Sequence, residues 1–130
     1  MRSLRDKKID KVVGVESRGF FFGMLLAQEL GVGFVPVRKP KKLPFAVISA
    51  SYELEYCTDT LEIHTDAIQK GEKVLIHDDV LATGGTAKAV AELVEELGGE
   101  IVQFNFLMEL SFLNGRNKIS QYEIYSPLVY

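Results

Sequence analysis

The sequence predicts an α/β fold, a mainly parallel twisted sheet flanked by helices. Three observations carry that prediction. Short apolar, β-branched runs alternate with two helical patterns. Glycines stop both helical patterns, at Gly31 and at Gly98-Gly99. Two polar motifs containing glycine directly follow strands, and ligands sit beyond the carboxyl ends of strands in such sheets. The alternation reads as a single domain over residues 1–130, a length typical of one domain.

Each element follows from its own pattern. Ile9 to Val15 is apolar and β-branched and reads as a buried strand. Phe20 to Leu30 has apolar residues on nearly every face, which predicts a helix buried on most sides. Val32 to Val37 is a second short strand. Arg38 to Pro44 is basic and broken by proline, hence a loop. Ile48 to Glu55 alternates apolar and polar residues, so a half-exposed ribbon strand is expected, with Leu61 to His64 as its partner. Lys70-Gly71-Glu72 is a turn, and Lys73 to His77 is another buried strand. Within Gly84 to Leu97, Ala87, Val90, Ala91, Val94 and Leu97 recur at helical spacing. Ile101 to Leu107 and Tyr122 to Tyr125 are the last strands.

Composition narrows the function. Fifteen Lys+Arg against 18 Asp+Glu give a net charge of −3. That balance argues against a nucleic-acid binder working by bulk charge, so any bound phosphate is held by local geometry. No run of 18 apolar residues suggests a membrane span. The polar N-terminus does not read as a signal peptide. Cys57 is the only cysteine and forms no internal disulfide, which suits a reduced, cytoplasmic setting.

The segment Asp78-Asp79-Val80-Leu81-Ala82-Thr83-Gly84-Gly85-Thr86 is the informative one. A strand runs into two carboxylates, and a short loop then opens a helix. The first helical turn offers free N–H groups and a positive dipole end. Gly84 and Gly85 allow a phosphate to approach those groups, and Thr83 and Thr86 add hydroxyl donors, making an anion cradle. No Gly-Lys-Ser/Thr follows, so this is not a Walker A loop. Asp78 and Asp79 would repel a phosphate, whereas ribose hydroxyls or a cation suit them.

With its strand, this segment resembles the 5-phosphoribosyl-1-pyrophosphate (PRPP) signature of the type I phosphoribosyltransferases. Val13-Gly14-Val15-Glu16-Ser17-Arg18-Gly19-Phe20, Val37-Arg38-Lys39-Pro40 and Ser49 to Tyr56 narrow the resemblance to the adenine branch. It runs from about Ile9 to the C-terminus. It implies that adenine N9 displaces pyrophosphate from PRPP to give AMP, with magnesium carried by PRPP and no metal held by the protein alone. It further implies that Ala82, Thr83, Gly84, Gly85 and Thr86 hold the 5-phosphate. Asp78 and Asp79 would take the ribose hydroxyls, and Arg18 and Lys39 the pyrophosphate with Arg38 nearby. Glu55 would assist proton transfer at adenine, Tyr56 would contact phosphates from a lid, and Leu110 would line the base pocket. The family also carries a cis peptide at the position of Glu16-Ser17. Its members commonly dimerise, and the Phe20–Leu30 helix is a plausible interface.

The sequence departs from the family pattern twice. Members usually carry an N-terminal segment that closes over adenine, whereas here the first strand begins by Ile9. A base pocket lacking one wall is therefore expected, with exposed apolar surface nearby. The alternative reading is a PRPP- or nucleotide-binding core with weak or no transferase activity. Cys57 stands where the family usually has glycine.

Overall fold

A computed structural model describes residues 8–16, 18–38, 47–53 and 58–130 of the chain. Elements follow in the order β1 (Lys11–Val15), α1 (Gly19–Leu30), β2 (Gly33–Val37), β3 (Val47–Glu53), β4 (Thr58–His64), β5 (Lys73–Leu81), α2 (Gly85–Glu96), β6 (Glu100–Glu109), β7 (Ile124–Tyr125) and β8 (Leu128–Val129). Two short 3-10 turns, Ser111–Leu113 and Gly115–Ile119, lie between β6 and β7.

The main sheet has the order β2-β1-β5-β6-β7, and β8 also pairs with β6. Every pairing in it is parallel. β3 and β4 form a separate antiparallel ribbon. The α/β fold, the parallel sheet and the ribbon are thus as predicted. β5 is longer than predicted, because its pairing with β6 continues through Asp78 to Leu81. The last strand is two short ones rather than Tyr122–Tyr125.

Period-two alternation gives the sheet two apolar faces. Val13, Val15, Val74, Ile76, Phe104 and Phe106 belong to one core, which Val90, Leu93 and Val94 of α2 cover. Leu61 and Ile63 of the ribbon are buried in that same core. Val12, Leu75 and Ala27 of α1 belong to a smaller core on the opposite side.

α1 corrects the expectation of a helix buried on most sides. Only Gly19, Gly23 and Ala27 are buried along it. These recur every fourth residue and form one narrow stripe of small side chains. The stripe lets the helix lie close to β1 and the ring of Phe34. A Cβ added at Gly14 would come 2.5 Å from that ring, and one at Gly23 would come 2.9 Å. Bulky side chains therefore point away, leaving Phe21 69% exposed and Leu25 58% exposed. The helix ends as expected at Gly31, whose φ of 69° is a left-handed cap.

Candidate functional site

β1 leads through α1 to β2 on one side, while β5 lies on its other side. The chain order reverses between β1 and β5, and in sheets of this kind ligands bind at such a point, at the carboxyl ends of the strands. Both sequence motifs meet at this point. A Cβ on Gly19 would approach Asp78 Oδ1 to 3.2 Å. Arg18 Nε lies 3.0 Å from Asp79 Oδ2, so the first motif already engages the second.

The segment after β5 has the predicted cradle form. Gly84 precedes α2 with φ 89°, a conformation that favours glycine. No side chain caps α2, so the threonine hydroxyls are not spent on holding the helix start. A small cavity of about 70 Å³ is lined by Asp78, Leu81, Ala82, Thr83, Gly84 and Thr86 among others. The free N–H groups of the first turn and the helix dipole favour an anion in it.

The two aspartates sit in β5 itself rather than in a following loop. Asp79 N–H donates to Asp78 Oδ1 at 2.8 Å, and Val80 N–H donates to Asp79 Oδ1 at 2.9 Å. Burial and the neighbouring Asp79 push the Asp78 carboxyl up to about 8. Asp79 has Arg18 as its cationic partner. Two adjacent carboxyls thus differ in environment, one buried and one ion-paired.

Arg38 Nε bonds Glu16 Oε1 at 3.0 Å, and its guanidinium carbon lies 5.9 Å from the centre of the Phe20 ring. Glu16 N–H donates to the Val37 carbonyl at 2.9 Å, which fixes the first motif to the end of β2. Leu110 follows β6, and its N–H donates to the Leu81 carbonyl at 2.9 Å, beside the cradle. The structure therefore brings together Arg18, Asp78, Asp79, Ala82, Thr83, Gly84, Gly85, Thr86 and Leu110, with Arg38 at the adjoining strand end. Lys39, Glu55, Tyr56, Ser17 and Cys57 lie outside the described residues.

His77 lies beneath the site, fully buried. Its Nδ1 is 2.9 Å from Asn105 Oδ1. The Asn105 amide nitrogen donates to Gln103 Oε1, which leaves Asn105 Oδ1 as acceptor and puts the imidazole proton on Nδ1. Burial lowers its pKa, so the ring is neutral at pH 7.

Sequence reasoning missed several residues around the cradle. Val80, Ala87 and Phe106 also line it. Gly115 backs onto it, since a Cβ on Gly84 would lie 2.5 Å from the Gly115 carbonyl oxygen. The Asn114-Gly115 pair is a turn signal that marks a chain reversal there. Nothing in the sequence says what that turn packs against.

The chain resembles known proteins over nearly its whole length. Residues 2–124 match the phosphoribosyl transferase domain family. The adenine phosphoribosyltransferase of Flavobacterium johnsoniae is 76% identical over 130 residues, which is 100% of this chain and 76% of the relative. The crystal structure of adenine phosphoribosyltransferase from Thermoanaerobacter pseudethanolicus superposes with a TM-score of 0.96 at 54% identity, covering 99% of this chain and 75% of that one. The Saccharomyces cerevisiae enzyme, complexed with an imino-altritol bisphosphate and adenine, gives 0.91 at 50% identity, covering 96% of this chain and 70% of that one.

Proposed function

The chain belongs to the phosphoribosyl transferase domain family, and from that premise we propose that it is an adenine phosphoribosyltransferase. It transfers the phosphoribosyl group of PRPP to adenine and releases AMP and pyrophosphate. The observation that carries this reading is a cavity where Asp78, with Asp79 next to it in β5, meets the uncapped N-terminus of α2 at Gly84. One end suits ribose hydroxyls and the other suits a phosphate. The 76% identity to a transferase supports chemistry as well as binding.

In this reading adenine N9 forms a bond to C1 of PRPP as the bond from C1 to the pyrophosphate oxygen breaks. Positive charge develops on the ribose ring; Asp79 stabilises it, and Asp78 joins in once its proton is lost. Residues 82–86 anchor the 5-phosphate, which fixes C1 relative to the base. Arg18 holds the departing pyrophosphate, a charge it reaches by exchanging its contact with Asp79. Lys39 and Arg38 are assigned to the same group. Glu55 takes the adenine proton, and Tyr56 closes on the phosphates. Leu110, beside the cradle, lines the base pocket.

Magnesium enters with PRPP as part of the substrate. Two neighbouring carboxylates offer the oxygen ligands it prefers, and an ion held mostly by substrate oxygens needs few from protein. When bound it neutralises charge on the leaving pyrophosphate. Among the described residues no cluster of three metal-ligating side chains stands together. A cytoplasmic setting accords with the lone Cys57.

The test is direct. Incubation with magnesium, PRPP and adenine is expected to yield AMP and pyrophosphate in equal amounts, read by chromatography. Adenine left unconsumed by a folded chain that binds PRPP would reject the transferase reading.

A homodimer is part of the same proposal. Phe21, Phe22, Met24 and Leu25 expose one apolar face on α1. It borders a groove of about 600 Å³ whose walls include Phe22, Leu25, Leu26 and Leu107. Exposed apolar patches of this kind mark association surfaces. Phe21→Ser/Leu25→Ser is expected to shift the chain from dimer to monomer in analytical ultracentrifugation. An unchanged sedimentation coefficient would remove α1 from the interface.

A further inference from the structure

We propose that Arg116 is a positioning residue for the 5-phosphate cradle, acting through Gly115 and resting on the function proposed above. Arg116 does not line the cradle. Its Nε–H reaches both carboxylate oxygens of Glu109, at 2.9 and 2.7 Å. Glu109 is 4% exposed and is the last residue of β6, paired in register with Leu81 of β5. The ion pair therefore closes the base of the excursion from Glu109 to Arg116. Asn114 turns the chain at φ 54°, and Gly115 then lies flat against the cradle. The contact is backbone on backbone. A Cβ at Gly115 would strike the Ala82 carbonyl oxygen, and one at Gly84 would lie 2.5 Å from the Gly115 carbonyl oxygen. On the far side Ile119 of the following turn is fully buried in the main core.

Residues 82–84 thus have a rigid wall behind them, and Arg116 fixes where that wall stands. A cradle that binds phosphate through several N–H groups needs those groups held to a fraction of an ångström. A loop with glycine at its pivot does not hold itself. The buried carboxylate of Glu109 supplies a fixed point, and Arg116 transmits it to the loop.

The experiment separates the two ends of the substrate. Binding of ribose 5-phosphate and of pyrophosphate is measured by calorimetry for wild type, R116K, E109Q/R116Q and G115A. The double variant removes the pair without leaving a buried lone carboxylate, so it retains the fold. Ribose 5-phosphate affinity is expected to fall roughly tenfold in E109Q/R116Q and G115A, with pyrophosphate affinity unchanged. R116K keeps a cation and is expected to retain most of the affinity. Equal ribose 5-phosphate affinity in wild type and double variant would overturn the role of Arg116. Parallel loss of both ligands would overturn it too, as general loosening. A wild-type chain that binds no ribose 5-phosphate would overturn the proposed function first, and this role with it.

Discussion

Replacing Asp78 with asparagine is expected to raise the melting temperature by roughly 5–10 °C at pH 9 and to leave it unchanged near pH 4. Burial and Asp79 hold the Asp78 carboxyl up at about 8 in the folded chain, against 3.8 for a free aspartate. Below pH 4 the group is protonated folded and unfolded alike, so it makes no difference. Between about 4 and 8 the folded state keeps a proton that the unfolded state has lost. Stability contributed by this group therefore declines as pH rises through that window, and the full penalty stands above 8. Each unit of such a shift corresponds to about 1.4 kcal/mol, and relaxation around the new charge reduces the total, so a gain of ~2–3 kcal/mol is expected for the neutral amide. Asparagine can still accept the Asp79 N–H, which keeps the strand in place.

Above pH 8, where Asp78 is ionised, the same substitution is expected to lower kcat/KM by about 100-fold or more, since a carboxylate accepts from ribose hydroxyls and stabilises a cationic ring where an amide does not. Thermal melts of wild type and variant across pH 4–9, with rates of AMP formation, check both halves. A destabilised variant at pH 9 would show that Asp78 is not held neutral by its surroundings. An equally active variant would remove it from the ribose site. The opposite signs for stability and rate mark a residue placed for its chemistry at the expense of the fold.

The parallel sheet was readable because buried β-branched runs and helix-stopping glycines are local signals. The shape of the candidate cradle was readable for the same reason, since its residues are consecutive at one strand–helix junction. Exposure of α1 was not readable from its apolar content. Which face of an all-apolar helix is buried depends on the closeness of the partner, and here Gly14 and Phe34 set that closeness for Gly19, Gly23 and Ala27. A narrow stripe of small residues spaced by four was present in the sequence, but the large residues around it dominated the pattern. The extension of β5 through Asp78 was hidden because two acids look like a strand end. The support by Gly115 and Arg116 was hidden because it depends on register between β5 and β6, some thirty residues apart.

Thr83→Ala/Thr86→Ala is expected to weaken PRPP binding by at least roughly 100-fold while leaving the melting temperature within about 2 °C of wild type. The argument turns on what the threonines do in the absence of ligand. A threonine that caps a helix contributes about 1 kcal/mol, and its loss would show in the melt. α2 has no side-chain cap, because Gly84 occupies that position. Removing the hydroxyls therefore takes nothing from the helix. Toward a doubly charged phosphate each hydroxyl donates a charge-assisted hydrogen bond worth about 1.5–3 kcal/mol, so losing both weakens PRPP by roughly 10²- to 10⁴-fold. Thr83→Ser/Thr86→Ser keeps both donors and is expected to bind within a few-fold of wild type. Calorimetric titration of PRPP with magnesium reads all three proteins. Unchanged affinity in the alanine variant would mean that the backbone N–H groups at Gly84 and Gly85 carry the phosphate alone. A large fall in melting temperature without ligand would mean that the hydroxyls are structural, and the two threonines would leave the binding site.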